Sequence, residues 1–132
     1  MLTLSILLAF LTTAMPGDVV GTATVIDGDT LHVEGVKIRL AGIDAPEWDQ
    51  TCGQTACGKD ATDALRALVA GRIVICTPNG GVTYDRIVAT CRTADLRDLG
   101  EALVIAGMAM DDPRYIPDYA ALTAMAADSR TG

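Results

Sequence analysis

A chain of 132 residues is long enough for one domain with one hydrophobic core, and it is short for two. Half of the residues are hydrophobic, and 17 acidic against 10 basic residues give a formal net charge of −7. This acidic balance excludes a broad basic face that coats nucleic acid without regard to sequence, and it confines anion binding to a local site.

The first 14 residues, MLTLSILLAFLTTA, contain no charged side chain. This apolar stretch is too short to span a bilayer comfortably, and it ends in small residues before Pro16 and Gly17. We therefore predict a secretory signal peptide over residues 1–17, cut near Ala14, and a secreted or periplasmic protein. An uncleaved membrane anchor and a buried helix are the alternatives. The folded domain is then expected to cover residues 18–132.

Three short segments after residue 18 have the composition and alternation of β-strands. Residues 19–26 are rich in Val and Thr, residues 30–33 alternate polar and apolar side chains, and residues 36–40 place three apolar side chains on one face. Between them, Asp27-Gly28 and Glu34-Gly35 are strong signals for tight turns. This order predicts an antiparallel meander of three strands, which is a common beginning for a small barrel.

The rest of the chain adds helices and two more strands. Ala45-Pro46 ends the third strand, because proline cannot donate a hydrogen bond to a ladder. Five strands with a helix between the third and fourth predict an α+β protein built on a five-stranded OB-fold barrel with about three helices. A generic α+β domain is the alternative. The later predicted elements are a helix over 59–70, a strand over 72–76, a turn or loop over 78–81, a strand over 86–91, a helix over 100–106 and a last helix over Tyr119–Ala127.

Four cysteines behind an export signal predict two disulfides. Three pairings are possible, and we favour Cys52–Cys57, which closes one loop, together with Cys76–Cys91, which links two strands. A zinc site fits less well, because neither pair has close ligand spacing and the single histidine, His32, lies on a predicted strand.

Carboxylates are concentrated at the ends of the predicted strands. Asp27 and Asp29 flank the first turn, while Asp44 and Glu47 follow the third strand. If the second and third strands pair, Asp29 and Asp44 lie side by side, and crowded carboxylates repel each other unless a cation lies between them. Oxygen-only ligands suit a hard ion such as calcium or magnesium. The alternative is that each aspartate only forms a turn.

Two arginines accompany this cluster. Arg39 lies on the third strand opposite its apolar face, and Arg86 begins the fifth strand. Two guanidinium groups beside a metal and a carboxylate base are suited to hold a phosphate during phosphoryl transfer. The alternative for each is a solvated arginine at a strand edge. Trp48, next to Glu47, is predicted to cap its loop, with substrate contact as the alternative.

Three blocks of the sequence resemble the signature of the staphylococcal nuclease (thermonuclease) family. IDGDT at residues 26–30, RLAGIDAPE at residues 39–47 and YDR at residues 84–86 are similar to it in order and spacing. The resemblance runs from about residue 19 to the C-terminus, and its long central block is highly specific. It implies an SNase-like domain with metal, phosphate and base-binding groups at fixed positions.

The resemblance implies a calcium-dependent endonuclease that hydrolyses DNA, RNA or both and leaves 3′-phosphate ends. Ca²⁺ is the implied cofactor, and a single-stranded or locally unpaired nucleic acid is the implied partner. A monomer without a stable protein partner is expected. The alternatives are a catalytically silent OB-fold module that binds nucleic acid, and an envelope protein with an unused site. By position, the implied roles are metal ligation by Asp29, Asp44 and the carbonyl of Ala45, catalysis by Arg39, Glu47 and Arg86, and substrate binding by Tyr84 and Tyr115.

Overall fold

The computed structural model describes residues 14–95 and 97–112. These residues form one sheet of six strands, a second sheet of two strands and two helices, so the predicted α+β class with an OB-like architecture is confirmed. The last predicted helix, Tyr119–Ala127, lies outside the described residues, as do residues 1–13 of the predicted signal peptide. The elements are β1 (Val19–Gly21), β2 (Ala23–Asp27), β3 (Thr30–Val33), β4 (Val36–Leu40), β5 (Ile43–Asp44), α1 (Cys57–Val69), β6 (Val74–Thr83), β7 (Arg86–Thr93), α2 (Leu99–Ile105) and β8 (Met110–Asp111).

The predicted meander is present as β2, β3 and β4. β2 pairs with β3 and β3 with β4, both antiparallel. Val33 pairs with Val36 across the second turn, where Glu34 has a φ of 51° and Gly35 a φ of 74°. Two consecutive positive φ angles give the turn a twist that matches the right-handed twist of the strands it joins.

The predicted strand over residues 19–26 is divided at Thr22 into β1 and β2. β1 pairs with β6 at one edge of the sheet, and β2 pairs with β3 at the other, in the order β1-β6-β7-β4-β3-β2. The division follows from sheet twist, because one straight strand cannot follow two differently oriented partners along its whole length. Among the described residues no ladder joins β1 to β2, so the sheet is open and the prediction of a closed five-stranded barrel is corrected.

The fourth and fifth predicted strands form the β6–β7 hairpin, but its turn is not where the sequence predicts it. Residues 78–81 lie inside β6, where the pairing with β7 shifts register between Pro78 and Val82. The chain reverses at Tyr84-Asp85, because Thr83 pairs directly with Arg86. The Pro-Asn-Gly-Gly signal therefore marks a bulge within a long strand, which is a known role for glycine in strands.

The core lies between the sheet and the two helices. Helix α1 turns Ala61, Leu65 and Val69 inward at helical spacing, and they join the buried strand residues Leu31 and Ile38. Helix α2 is capped by Asp98, whose side chain accepts a hydrogen bond from the backbone N–H of Glu101. No helix among residues 14–95 and 97–112 is long and apolar enough to span a bilayer.

Both favoured disulfides are present. Cys52–Cys57 joins the loop after β5 to the first residue of α1, and Cys76–Cys91 joins opposite residues of β6 and β7. Cys76 and Cys91 are buried in the core, whereas Cys52 is exposed. The described residues contain no free cysteine.

Candidate active site

A polar cleft of about 330 Å³ opens where the start of β3, the end of β4 and the β6–β7 turn meet. The ladder register brings these segments together: Thr30 of β3 pairs with Arg39 of β4, and Ile38 pairs with Ile87 of β7. Arg86 immediately precedes Ile87 and therefore lies at the same end of the sheet. The cleft is lined by Asp27, Asp29, Arg39, Asp44, Ala45, Glu47, Thr83, Tyr84 and Arg86.

Asp29 is the most buried carboxylate of the cleft, with a relative exposure of 6%. Its Oδ1 accepts a hydrogen bond from the Thr30 hydroxyl at 3.0 Å, and its Oδ2 accepts one from the Ala45 backbone N–H at 3.0 Å. A buried charged group is stable only when it is hydrogen-bonded and paired. These contacts fix the carboxylate in one orientation at the wall of the cleft.

Arg39 is the counter-ion of two aspartates. Its Nη2 lies 3.5 Å from Asp29 Oδ2 and 3.2 Å from Asp44 Oδ1, while its Nη1 donates to the carbonyls of Leu40 and Ile43 at 2.9 and 2.8 Å. Because Arg39 is only 5% exposed, the alternative of a solvated strand-edge arginine is wrong for this residue. The guanidinium holds the bend between β4 and β5 and keeps both carboxylates at the cleft.

Arg86 reaches the same cluster from β7. Its Nη1 donates to the Thr30 hydroxyl at 3.0 Å, and that hydroxyl donates in turn to Asp29. The contact is partly buried, so the guanidinium is neither free in solvent nor enclosed in the core. A chain of hydrogen bonds therefore orders Arg86, Thr30 and Asp29 relative to one another.

Glu47 lies in the loop between β5 and α1, and its side chain is exposed. Its backbone is fixed by Gln50, whose side chain accepts from the Glu47 N–H at 3.2 Å and whose N–H donates to the Glu47 carbonyl at 2.9 Å. Gly58 in the first turn of α1 packs against this carbonyl so closely that a Cβ there would lie 1.6 Å from its oxygen. Only glycine lets the first turn of α1 pack this closely against the backbone of the Glu47 loop.

Of the two predicted substrate-binding tyrosines, only one lies among the described residues. Tyr84 lines the cleft at the β6–β7 turn, with a φ of 55° and 94% of its surface exposed. Tyr115 lies outside the described residues. The cleft thus gathers Asp29, Arg39, Asp44, Ala45, Glu47, Tyr84 and Arg86 out of the predicted site residues.

The oxygen donors of the cleft fit a hard divalent cation. Asp29 and Asp44 approach the same nitrogen of Arg39, and Ala45 follows Asp44 on the same wall. Carboxylate and carbonyl oxygens are the ligands that calcium prefers. Among the described residues no group of three or more His, Cys, Asp or Glu side chains is placed to hold a metal. An ion held by these donors would therefore take at least half of its six to eight ligands from water or phosphate.

Sequence reasoning missed Thr30, whose hydroxyl connects Asp29 to Arg86. Thr30 is only 1% exposed, and a hydroxyl buried there must find partners inside the protein, but this burial is known only from the fold. Asp27 also has a role that its turn position did not reveal: its Oδ1 accepts a hydrogen bond from the Trp48 N–H at 3.0 Å. This contact attaches the Glu47 loop to the turn between β2 and β3.

Comparison with known proteins agrees with this geometry. Residues 37–132 match the family model described as Staphylococcal nuclease homologue. The chain is 39% identical over 99 residues to the succinoglycan biosynthesis protein ExoI of Rhizobium meliloti (strain 1021), covering 70% of this chain and 52% of that protein. It is 36% identical over 98 residues to an uncharacterized endonuclease of Escherichia coli, covering 71% of this chain and 61% of that protein.

The chain therefore spans about half to three fifths of the length of the curated relatives it matches. The family model nevertheless covers most of this chain, and it begins within β4, so it includes every cleft residue from Arg39 onwards. On this match, the chain belongs to the staphylococcal nuclease family.

Proposed function

We propose that this protein is a calcium-dependent nuclease that hydrolyses phosphodiester bonds of DNA, RNA or both. One observation carries the proposal: two aspartates, a glutamate and two arginines line a single polar cleft. Phosphoryl transfer needs positive charge around the phosphate and a positioned nucleophile, and this set of groups provides for both. The relatives named as endonucleases support the same reaction class.

Calcium is proposed to bind Asp29, Asp44 and the carbonyl oxygen of Ala45. When bound, the ion supplies positive charge to a phosphate oxygen and lowers the pKa of a bound water. Asp29 is oriented for this role by its hydrogen bonds from Thr30 and Ala45. Asp44 has 61% of its side chain exposed, so it can take up a ligand from solvent without a rearrangement of the core.

Arg39 and Arg86 are proposed to hold the scissile phosphate between them. A guanidinium group donates two parallel hydrogen bonds to phosphate oxygens, and these bonds strengthen as negative charge grows in the transition state. Arg86 donates to the Thr30 hydroxyl and is partly exposed, so its guanidinium can turn towards a phosphate without breaking a contact with a buried carboxylate. Arg39 is already fixed on two carbonyls and two carboxylates.

Glu47 is proposed to take the proton of the attacking water. The water oxygen bonds to phosphorus, its proton passes to the carboxylate, and the bond from phosphorus to the 5′ oxygen breaks. The leaving oxygen takes a proton from solvent, so the products are a 3′-phosphate and a 5′-hydroxyl. A general base in this position contributes about 10²–10⁴-fold to the rate.

Nucleic acid that is single-stranded or locally unpaired is the proposed substrate. A net charge of −7 does not favour duplex binding through a broad basic face, so phosphate contacts depend on a few local cations. Export to the periplasm or the medium is proposed for the protein. Two disulfides support it, because disulfides persist in oxidising compartments.

Digestion assays test the proposal directly. Single-stranded and duplex DNA and RNA are incubated with calcium, with magnesium and with a chelator, and the product ends are analysed. We expect cleavage that needs calcium and leaves 3′-phosphates. Equal cleavage with chelator, or none with any metal, would contradict the proposal, and binding without cleavage would favour a silent binding module.

A variant separates metal binding from general damage. Asp44→Asn is expected to raise the calcium concentration for half-maximal rate by about tenfold or more, because calcium affinity depends on the charge of its ligands. Asp60→Asn removes an exposed aspartate outside the cleft and serves as the control. Calorimetric calcium binding gives the same comparison without relying on activity.

A further inference from the structure

Residues 14–95 and 97–112 contain two aromatic side chains, Trp48 and Tyr84, and neither belongs to the hydrophobic core. Tyr84 lines the cleft, and Trp48 follows the cleft residue Glu47 in the chain. Large aromatic side chains normally contribute their area to a core or an interface. Tyr84 is exposed in the cleft and Trp48 is exposed next to a cleft residue in the chain, and this placement points to a ligand with flat, stackable surfaces.

The backbone of Trp48 is attached to the wall of the cleft. Its N–H donates to Asp27 Oδ1 at 3.0 Å, and Asp27 itself lines the cleft. The indole is also held from the helix side, because the guanidinium carbon of Arg66 lies 5.3 Å from the ring centroid. Arg66 is in turn paired with Asp63, at 3.4 Å, one turn earlier on α1.

This arrangement orients the indole without burying it. A guanidinium stacked on an indole is a favourable cation–π contact, and it covers part of the ring only. Trp48 remains 45% exposed despite its contact with Arg66. A tryptophan whose sole role was to cap the loop would gain more from burial than from this half-open position.

We propose that Trp48 and Arg66 form a nucleobase-stacking subsite for a nucleotide that flanks the scissile phosphate. The occupant is a base of single-stranded nucleic acid, with its flat face on the indole. This inference rests on the proposed function, and it adds a subsite outside the groups assigned to the cleft. Stacking on an aromatic side chain tolerates every base, because every base has a π-face.

The charges around the subsite fit such an occupant. Arg66 and Lys59 are both at least half exposed on α1 and share one carboxylate, Asp63, so the three side chains carry a net positive charge in a protein whose net charge is −7. A single strand carries one phosphate for each base, so a stacked base brings its phosphate towards this face of α1. The subsite therefore offers stacking and charge compensation together.

The chain contains one tryptophan, so its indole fluorescence reports Trp48 alone. In a Glu47→Gln background that prevents cleavage, with calcium present, we add a labelled oligothymidylate of about eight nucleotides. Binding is followed by the anisotropy of the label, and stacking by quenching of the indole emission. An abasic oligomer of the same length is the control, because it keeps the phosphates and lacks the bases. We expect quenching by the oligothymidylate and little quenching by the abasic strand.

Kinetics provide a second readout. Trp48→Leu is expected to raise KM for the oligonucleotide by about tenfold, while cleavage of a minimal nitrophenyl phosphodiester is unchanged. Trp48→Phe keeps an aromatic face and is expected to stay near the wild type. Ile73→Ser is the matched control, because Ile73 is also 45% exposed but does not line the cleft.

The outcomes separate the two proposals. Oligonucleotide binding without quenching, or equal quenching by the abasic strand, would overturn the subsite and leave the nuclease proposal standing. Equal KM values for Trp48→Leu and the wild type would do the same. Quenching of the Glu47→Gln protein by a base-containing strand, together with no cleavage by the wild type with any metal, would support the subsite and overturn the proposed function.

Discussion

Ala45 donates its backbone N–H to the side chain of Asp29 across 3.0 Å, although the two residues are 16 positions apart in the chain. This hydrogen bond joins the start of β3 to the end of β5. Two neighbouring carboxylates would otherwise drive these segments apart, and the N–H together with Arg39 compensates their charge. The relative position of the proposed metal ligands is therefore set by a backbone contact as well as by side chains.

Replacing Arg39 should cost stability as well as activity. Arg39→Met leaves Asp29 buried without its counter-ion, and removing one partner of a buried pair typically costs about 3–5 kcal/mol in the free energy of unfolding. Urea unfolding measures the change. In the double variant Arg39→Met/Asp29→Asn the loss should be smaller than the sum of the two single losses, because the buried charge is gone. Additive losses would contradict the pairing.

Replacing Arg86 should remove activity and spare the fold. Arg86→Ala loses one hydrogen bond to Thr30, which is worth about 1 kcal/mol. Cleavage should fall by about 10²–10³-fold, the usual cost of losing one donor to transition-state charge. Arg72→Ala removes an exposed arginine paired with Asp95 outside the cleft and should cleave normally. A large fall in the thermal midpoint of Arg86→Ala would speak against a purely functional role.

Glu47→Gln tests the general base. The side chain is exposed, so the substitution should leave the free energy of unfolding within about 0.5 kcal/mol of the wild-type value. The cleavage rate should fall by about 10²–10⁴-fold. Asp49→Asn changes another exposed carboxylate of the same loop and is the control. Near-normal cleavage by Glu47→Gln would assign the proton transfer to another group.

The two disulfides should differ in their contribution to stability. Cys76–Cys91 closes a loop of 15 residues and Cys52–Cys57 one of 5, which correspond to about 3 and about 2 kcal/mol of loop-closure entropy. The double alanine variant of the buried pair should therefore unfold more easily, and mild reductant should open the exposed Cys52–Cys57 bond first. Unfolding curves and mass spectrometry after alkylation measure both effects. Preferential reduction of Cys76–Cys91 would contradict the burial difference.

The stability of the folded protein should fall at acidic pH. The Lys59 ammonium hydrogen-bonds Asp63 and lowers its pKa, and a hydrogen bond from Thr93 lowers the pKa of Asp95. A carboxyl whose pKa is lower when folded stabilises the protein above its unfolded pKa, about 3.9 for aspartate, and this gain is lost as the pH falls through the folded pKa. The thermal midpoint should therefore decline below about pH 4. The thermal midpoint of Asp95→Asn should decline less steeply with falling pH than that of the wild type. An equal decline in both proteins would show that Asp95 does not contribute to the loss of stability.

Local patterns in the sequence were sufficient for the meander and for both described helices. Glu34-Gly35 has the turn residues that a two-residue hairpin needs, and it is such a turn in the structure. The same local logic failed at residues 78–81, because turn residues also occur in bulges within strands. The position of the hairpin turn depends on which residues of β7 pair with β6, and a local pattern cannot contain that information.

The sequence by itself determined the family, the α+β class and the set of charged groups, because these follow from residue type, order and spacing. Only the tertiary structure decided how Asp29, Arg39 and Arg86 meet. It opened the sheet at Thr22, buried Arg39 against two carboxylates and made Thr30 the link to Arg86. The reason is physical: hydrogen-bond partners and burial depend on contacts between strands that are distant in the chain, and such contacts exist only after the strands have paired.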